Sequence, residues 1–149
     1  MPTGFLLQSD HLFEIKTGVD DTTQEPIYSR LGAGIMSMEP GTNDELSQDK
    51  YYDGLGFGET DVISGQLILT FSGHRKYGDP AQDYIFSTLL EFGLGRRTEF
   101  RYTLPDGGSY EGPCTIANIT GPAGDAGAKG EIGFEIHFNG KPTFTPPAP

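Results

Sequence analysis

Residues 121–138 read GPAGDAGAKGEIGFEIHF, and two periodicities compete within them. Glycine falls at every third position from Gly121 to Gly133, the spacing of a collagen triple helix. Collagen also needs many proline-bearing triplets to hold its chains in the PPII conformation, and here Pro122 is the only proline. From Glu131 the pattern changes: Ile132, Phe134, Ile136 and Phe138 alternate with Glu131, Gly133, Glu135 and His137. Successive side chains of a strand point to opposite faces, so this run is a half-buried β-strand. Gly133 belongs to that strand, and the collagen register ends there. The glycines before it form a loop that feeds the strand.

Working outward, the same alternation recurs. RRTEFRYTL (96–104) puts Phe100, Tyr102 and Leu104 on one face, and SYEGPCTIANIT (109–120) returns beside it as a hairpin. The PDGG between them is a turn in which proline presets φ and glycine accepts positive φ. GQLILTFSG (65–73) directs Leu67, Leu69 and Phe71 one way. LFEIK (12–16) and IYSRLGAGIMSME (27–39) are weaker strands, and Gly32 and Gly34 in the second suggest a bend or a close backbone approach. One helix interrupts the pattern, in GDPAQDYIFSTLLEFG (78–93). Asp79 is a good N-cap, Pro80 suits the first helical position and Gln82 completes a capping-box spacing. The predicted helix covers about 80–92, with Tyr84, Ile85, Leu89 and Phe92 on its core face and Gly93 ending it. The expected class is therefore mainly β with one flanking helix.

The 149 residues suit a single domain, 1–149, with ten Phe and seven Tyr to pack it. Formal net charge is −11, which disfavours ordinary phosphate-backbone binding. The lone Cys114 permits no internal disulfide. MPTGFLLQSD has no basic n-region, and no stretch approaches the length of an apolar membrane span, so a soluble protein folded inside a cell and lacking a membrane anchor is expected. Charge is uneven: between Glu39 and Asp61, seven acidic residues face only Lys50. This 39–61 stretch is predicted as a long acidic loop, of a length that is usually functional or mobile. Within it Tyr51, Tyr52, Leu55 and Phe57 are apolar anchors beside Glu59. KPTFTPPAP (141–149) reads as an extended, proline-rich tail.

No reactive constellation emerges. In DKYYDGLGFGET (49–60), Asp49, Asp53 and Gly54 fit a calcium loop, but Tyr51 and Thr60 occupy positions that need oxygen ligands, the last a bidentate Glu. LGAGIMS and GLGFGE fail the dinucleotide fingerprint, and Gly140-Lys141 precedes Pro142, where a P-loop needs Ser or Thr. His11, His74 and His137 have no metal-ligand spacing with Cys114. Catalytic residues, metal and cofactor are accordingly all expected to be absent.

The run YYDGLGFGETDVISGQLILTFSGHRKYGDPAQDYIF, followed by FRYTLPDGGSYEGPCTIANITGPAGDAGAKGEIGFEIHFNGKPTFT, covers about residues 51–146. In order it carries GFGET, SGHRKYGDPAQ, TLPDG, ANITGPAGD and FEIHFNGKPT, and it resembles the tail tube (major tail) proteins of long-tailed bacteriophages of Gram-positive hosts. The resemblance implies a β-sandwich or barrel-like protomer with one flanking helix. Such protomers self-assemble into hexameric rings that stack as a passive conduit, in the virion tail, for DNA passing transiently through the lumen. It implies synthesis in the host bacterial cytoplasm, and tape-measure and tail-end or terminator proteins as further partners. The 39–61 loop, through Tyr51, Tyr52, Leu55, Phe57 and Glu59, would then reach a neighbouring subunit or ring. Two other readings stay open: a secreted tube protein of a contractile injection system, and a ligand- or carbohydrate-binding β-sandwich, against which the absence of Trp counts.

Overall fold

A computed structural model describes residues 3–148; Met1, Pro2 and Pro149, the outer ends of the expected domain and tail, lie outside the described residues. The strands are β1 (Leu12–Val19), β2 (Pro26–Arg30), β3 (Ile35–Gly41), β4 (Glu45–Lys50), β5 (Gly58–Ser64) and β6 (Ile68–His74). The helix α1 (Pro80–Ser87) follows, then β7 (Arg97–Thr103), β8 (Ser109–Ala123), β9 (Glu131–Phe138) and β10 (Thr143–Thr145). The main sheet runs in the order β2-β1-β7-β8-β9-β6-β3, every neighbour antiparallel, and β10 adds to β8 at Ser109–Glu111, where β9 does not reach.

Register explains the core. Phe71 lies opposite Met38 on one side and Phe134 on the other, and Ile136 sits between Leu69 and Ile116. Phe13 faces Tyr102, which faces Tyr110. These alternating residues all turn to one face, around which the sheet curls. Phe13 of β1 meets Phe71 of β6 edge-on, with ring centroids 5.1 Å apart, across the three strands that separate them in the sheet. Phe71, Phe100, Phe134 and Phe138 are fully buried, and each such side chain contributes about 1.5–3 kcal/mol. The curl does not close into a barrel. The outer strands β2 and β3 share no ladder, and a cleft of about 300 Å³ runs along the seam between Phe13, Leu31, Ile35 and Met38.

The helix begins as expected and ends early. Asp79 accepts a hydrogen bond from the Gln82 backbone N–H at 3.1 Å, and Pro80 occupies the first turn. Gln82 does not complete the capping box. Its side chain is wholly buried and donates to the carbonyls of Ala33 and His74 at 2.8 and 3.1 Å, while its oxygen accepts from the Lys76 N–H at 2.8 Å. One amide thereby ties α1 to the end of β6 and to the β2–β3 turn. The helix stops at Ser87, not near residue 92, because the hydroxyls of Ser87 and Thr88 donate to the carbonyls of Tyr84 and Ile85 and compete with the next helical turn. Ile85 is buried and Tyr84 packs at the core margin, but Leu89 is 42% exposed and Phe92 is 88% exposed. The assignment of Leu89 and Phe92 to the core face is therefore corrected: both lie past the helix, on a surface loop.

Three other expectations change. The run 27–39 is two strands, β2 and β3, separated by a turn at Gly34 (φ +77°), where a Cβ would lie 2.5 Å from the His74 carbonyl. Residues 39–61 are not a structureless loop. β3 extends to Gly41, and β4 and β5 form an ordered hairpin paired only with itself. Within the tail, β10 adds to the chain's own sheet and packs Phe144 at a tilt against Tyr110, with ring centroids 4.9 Å apart.

The glycine spacing has a local cause at several of its positions. Gly121 has φ +89°, and a Cβ there would overlap the Glu131 carbonyl across the β8–β9 turn. At Gly130 a Cβ would stand 2.5 Å from Pro122 Cβ, and at Gly133 it would stand 2.9 Å from Thr120 Oγ1, whereas Gly127 faces open space. Close backbone approach in a tight hairpin therefore selects individual glycines; the period of three is not a structural repeat.

Candidate assembly surface

The β4–β5 hairpin is the part of the molecule least explained by its own fold. Its register pairs Leu46 with Val62, Gln48 with Thr60, and Lys50 with Gly58 on one face, and Ser47 with Asp61 and Asp49 with Glu59 on the other. The second face is acidic, and the directly opposed carboxylates of Asp49 and Glu59 repel each other. Leu46 and Val62 on the first face are exposed, as is Ile63 at the bulge. A two-stranded ribbon with no core is marginal in water by itself. Six residues of strand at about 3.3 Å each carry its tip roughly 20 Å along the ribbon.

The tip itself is well formed. Tyr52–Gly54 make a 3₁₀ turn, Gly54 N–H donates to the Tyr51 carbonyl at 3.1 Å, and Phe57 N–H donates to the Gly54 carbonyl at 3.0 Å. Leu55 and Gly56 take left-handed φ values of +55° and +88°. This geometry turns the tip's large side chains outward: Tyr52, Leu55 and Phe57 are 107%, 88% and 78% exposed, with Tyr51 half-exposed below them. Of the anchors predicted from sequence, none pins the segment to its own core. Glu59 lies in β5, opposite Asp49.

A second exposed apolar surface escaped the sequence reading, which carried the helix through Leu90 and Phe92 to about residue 92. Leu90, Phe92 and Leu94 are all solvent-facing on the segment between α1 and β7. Arg96 fixes that segment, donating to the carbonyls of Leu89, Glu91 and Ile116 at 2.8, 3.1 and 3.2 Å. Arg97, next in the chain, is exposed, and among the described residues no carboxylate lies within ion-pair distance of it. Three other cations are neutralised within the chain, and the rest, like Arg97, have no ion pair among the described residues: Arg101 bridges Glu14 and Glu111 at 3.3 and 3.1 Å, Lys16 meets Glu99 at 3.2 Å, and Arg75 meets Asp83 at 2.9 Å.

Titration marks no reactive centre. Burial pushes the Cys114 thiol up to about 12, so it stays protonated. Hydrogen bonds from His137 and then Asn118 hold the Glu135 carboxyl below the usual range on the outer face of the sheet. Among the described residues, no helix is long and apolar enough to cross a membrane, and no group of three or more His, Cys, Asp or Glu could hold a metal ion.

No protein-family model and no curated protein sequence matches the chain. Solved structures do. A chain from the tail of an empty GTA particle, refined helically with C6 symmetry, superposes with a TM-score of 0.73 at 18% identity, over 95% of this chain and 100% of that one. A chain from the virion of a native gene transfer agent (GTA) particle gives 0.69 at 20% identity, over 95% and 100%. A chain from the sheath–tube complex of an extracellular contractile injection system (PVC, extended state) gives 0.55 at 11% identity, over 94% and 90%. At these identities the likeness is one of fold, and it spans nearly the whole length of each chain. The mainly β architecture with one flanking helix is thus a fold found in particle tails.

Proposed function

We propose that this chain is a non-enzymatic tail-tube subunit that assembles with copies of itself into hexameric rings, and that the rings stack into a tube. The observation that carries this reading is the end-to-end fold likeness to a chain from a C6-symmetric particle tail. The sequence resemblance to tube proteins of long-tailed phages of Gram-positive hosts supports the same role, as do the unsatisfied edges of β2 and β3. Open sheet edges invite pairing with another chain, and a ring abolishes them. Stacked rings would enclose a tape-measure protein, end on terminator proteins and later pass DNA. A subunit of net charge −11 suits a conduit to which phosphate does not adhere. The chain would be made in the host cytoplasm and finish in the virion tail.

The likeness to a contractile sheath–tube complex favours one alternative, the secreted tube protein of an injection system. A tube that binds sheath subunits along its outside would point there. Sedimentation velocity across a concentration series tests the main reading. Six-chain species and longer stacks should grow with concentration, and a protein that remains monomeric throughout would contradict it.

A further inference from the structure

The long strand β8 divides the sheet into two halves. Its first part, from Ser109 to Thr115, pairs with β7, and its later part, from Cys114 to Ala123, pairs with β9. One half is therefore β2-β1-β7 with the start of β8, and the other is β3-β6-β9 with its end. The two halves meet at the row of paired residues Gly41, Ile68, His137, Thr115 and Arg97. Their inward residues share one core, but their outward faces differ.

Successive residues of a strand alternate faces, so those between the buried Leu69, Phe71, Phe134 and Ile136 point outward, with their opposed partners on β3 and β8. On this half the outward face carries the carboxylates Glu39, Glu131 and Glu135 among exposed neutral residues such as Ser37, Thr70 and Ser72. It carries neither Lys nor Arg. Its only basic side chains are the imidazoles of His74 and His137, and the second bonds Glu135 at 2.7 Å. The outward face of the other half carries four cations, Lys16, Arg30, Arg97 and Arg101. Arg75, Lys76 and Lys129 lie past the strand ends, off both faces.

Lys and Arg pair with phosphates and release counterions, so a channel wall that carries them retains DNA, whereas hydroxyls and carboxylates let it pass. Both edges of the cation-free half are also open. One is β3; the other is residues 117–123 of β8, with which, among the described residues, no strand pairs on the side away from β9. Copies joined along such edges continue the face from one to the next. We propose that the outward face of the β3-β6-β9-β8 half is the wall of the channel, facing DNA, and that the β2-β1-β7 half, where the cations sit, turns away from it. This rests on the reading of the chain as a tube subunit and names the surface that its lumen presents.

Gold labelling of assembled tubes tests it, and the buried Cys114 leaves the wild-type protein unlabelled as the control. After assembly, a maleimide gold cluster is coupled to Thr70→Cys, to Ser72→Cys and, on the other half, to Thr103→Cys, then located by electron microscopy of end-on views. Gold at positions 70 and 72 should line the channel, and gold at 103 should lie outside it. Gold at 70 or 72 on the outer wall, or gold at 103 in the channel, overturns the assignment while leaving the tube reading intact. A wild-type protein that forms no tubes overturns both. Added charge gives a second readout without cysteines. Tubes of the double variant Thr70→Lys, Ser72→Lys should hold a short fluorescent duplex DNA at least about tenfold more tightly than wild type at low salt, the gain shrinking as salt rises. They should also shield that DNA from a nuclease. Duplex that gains no affinity, or that binds and is digested, counts against the proposed wall.

Discussion

The curled sheet and the β4–β5 hairpin are both β-structure, yet they use their side chains in opposite ways. In the sheet, every second residue of β6, β7 and β9 turns inward and meets a partner on the neighbouring strand, so the fold is complete within one chain. In the hairpin, one face opposes like charges and the other exposes Leu46 and Val62. The difference teaches where each region's stability resides. The sheet is stabilised by its own core, and the hairpin has no core of its own.

Truncating Phe134 breaks that comparison on the sheet's side. Phe134→Ala removes a buried ring stacked on Phe71 at 5.2 Å and should destabilise the protomer by about 3–5 kcal/mol in denaturant unfolding. Gln82→Met should cost less, about 1–3 kcal/mol, by stranding the polar groups of Ala33, His74 and Lys76 that the amide now satisfies. Leu89→Ala sharpens the correction at the helix end. On the surface loop it should lower stability by less than about 1 kcal/mol, whereas a drop of several would return Leu89 to the core. Phe57→Asp, at the hairpin tip, should shift protomer stability by no more than about 0.5 kcal/mol while abolishing tube growth. Normal tubes from that variant would remove the tip from the interface.

The smallest effect concerns pH. Glu135 has its folded-state pKa lowered, by His137 first and Asn118 second. A depressed carboxyl stabilises the fold above its unfolded pKa, and that contribution disappears as pH falls through the folded value. Melting temperature should therefore decline on acidification below the ordinary glutamate range, and slightly less steeply in Glu135→Gln.

The sheet was largely legible in the sequence, because period-two alternation in EIGFEIHF and RRTEFRYTL reports inward-facing residues directly. Strand identity also follows from turns with a mechanism, such as PDGG, where Gly107 does adopt φ +97°. The hairpin was less legible. Its alternation joins acidic and polar residues with few apolar ones, so no core-facing period existed to detect. The helix end was obscured for a different reason: Leu89 and Phe92 continue the helical spacing, but hydroxyl-to-carbonyl bonds from Ser87 and Thr88 terminate the turn first. Phe92, in the exposed Leu90–Leu94 segment, was thereby placed in an expected core stripe. Register between distant strands, which sets the start of β7 level with the finish of β3, is a property of topology and has no signature in a local stretch.

Electron microscopy of the negatively stained protein tests the central claim most directly. A tube subunit should give hollow tubes or rings whose end-on views show six-fold symmetry. Uniform small particles at every concentration, with no ring and no tube, would contradict it.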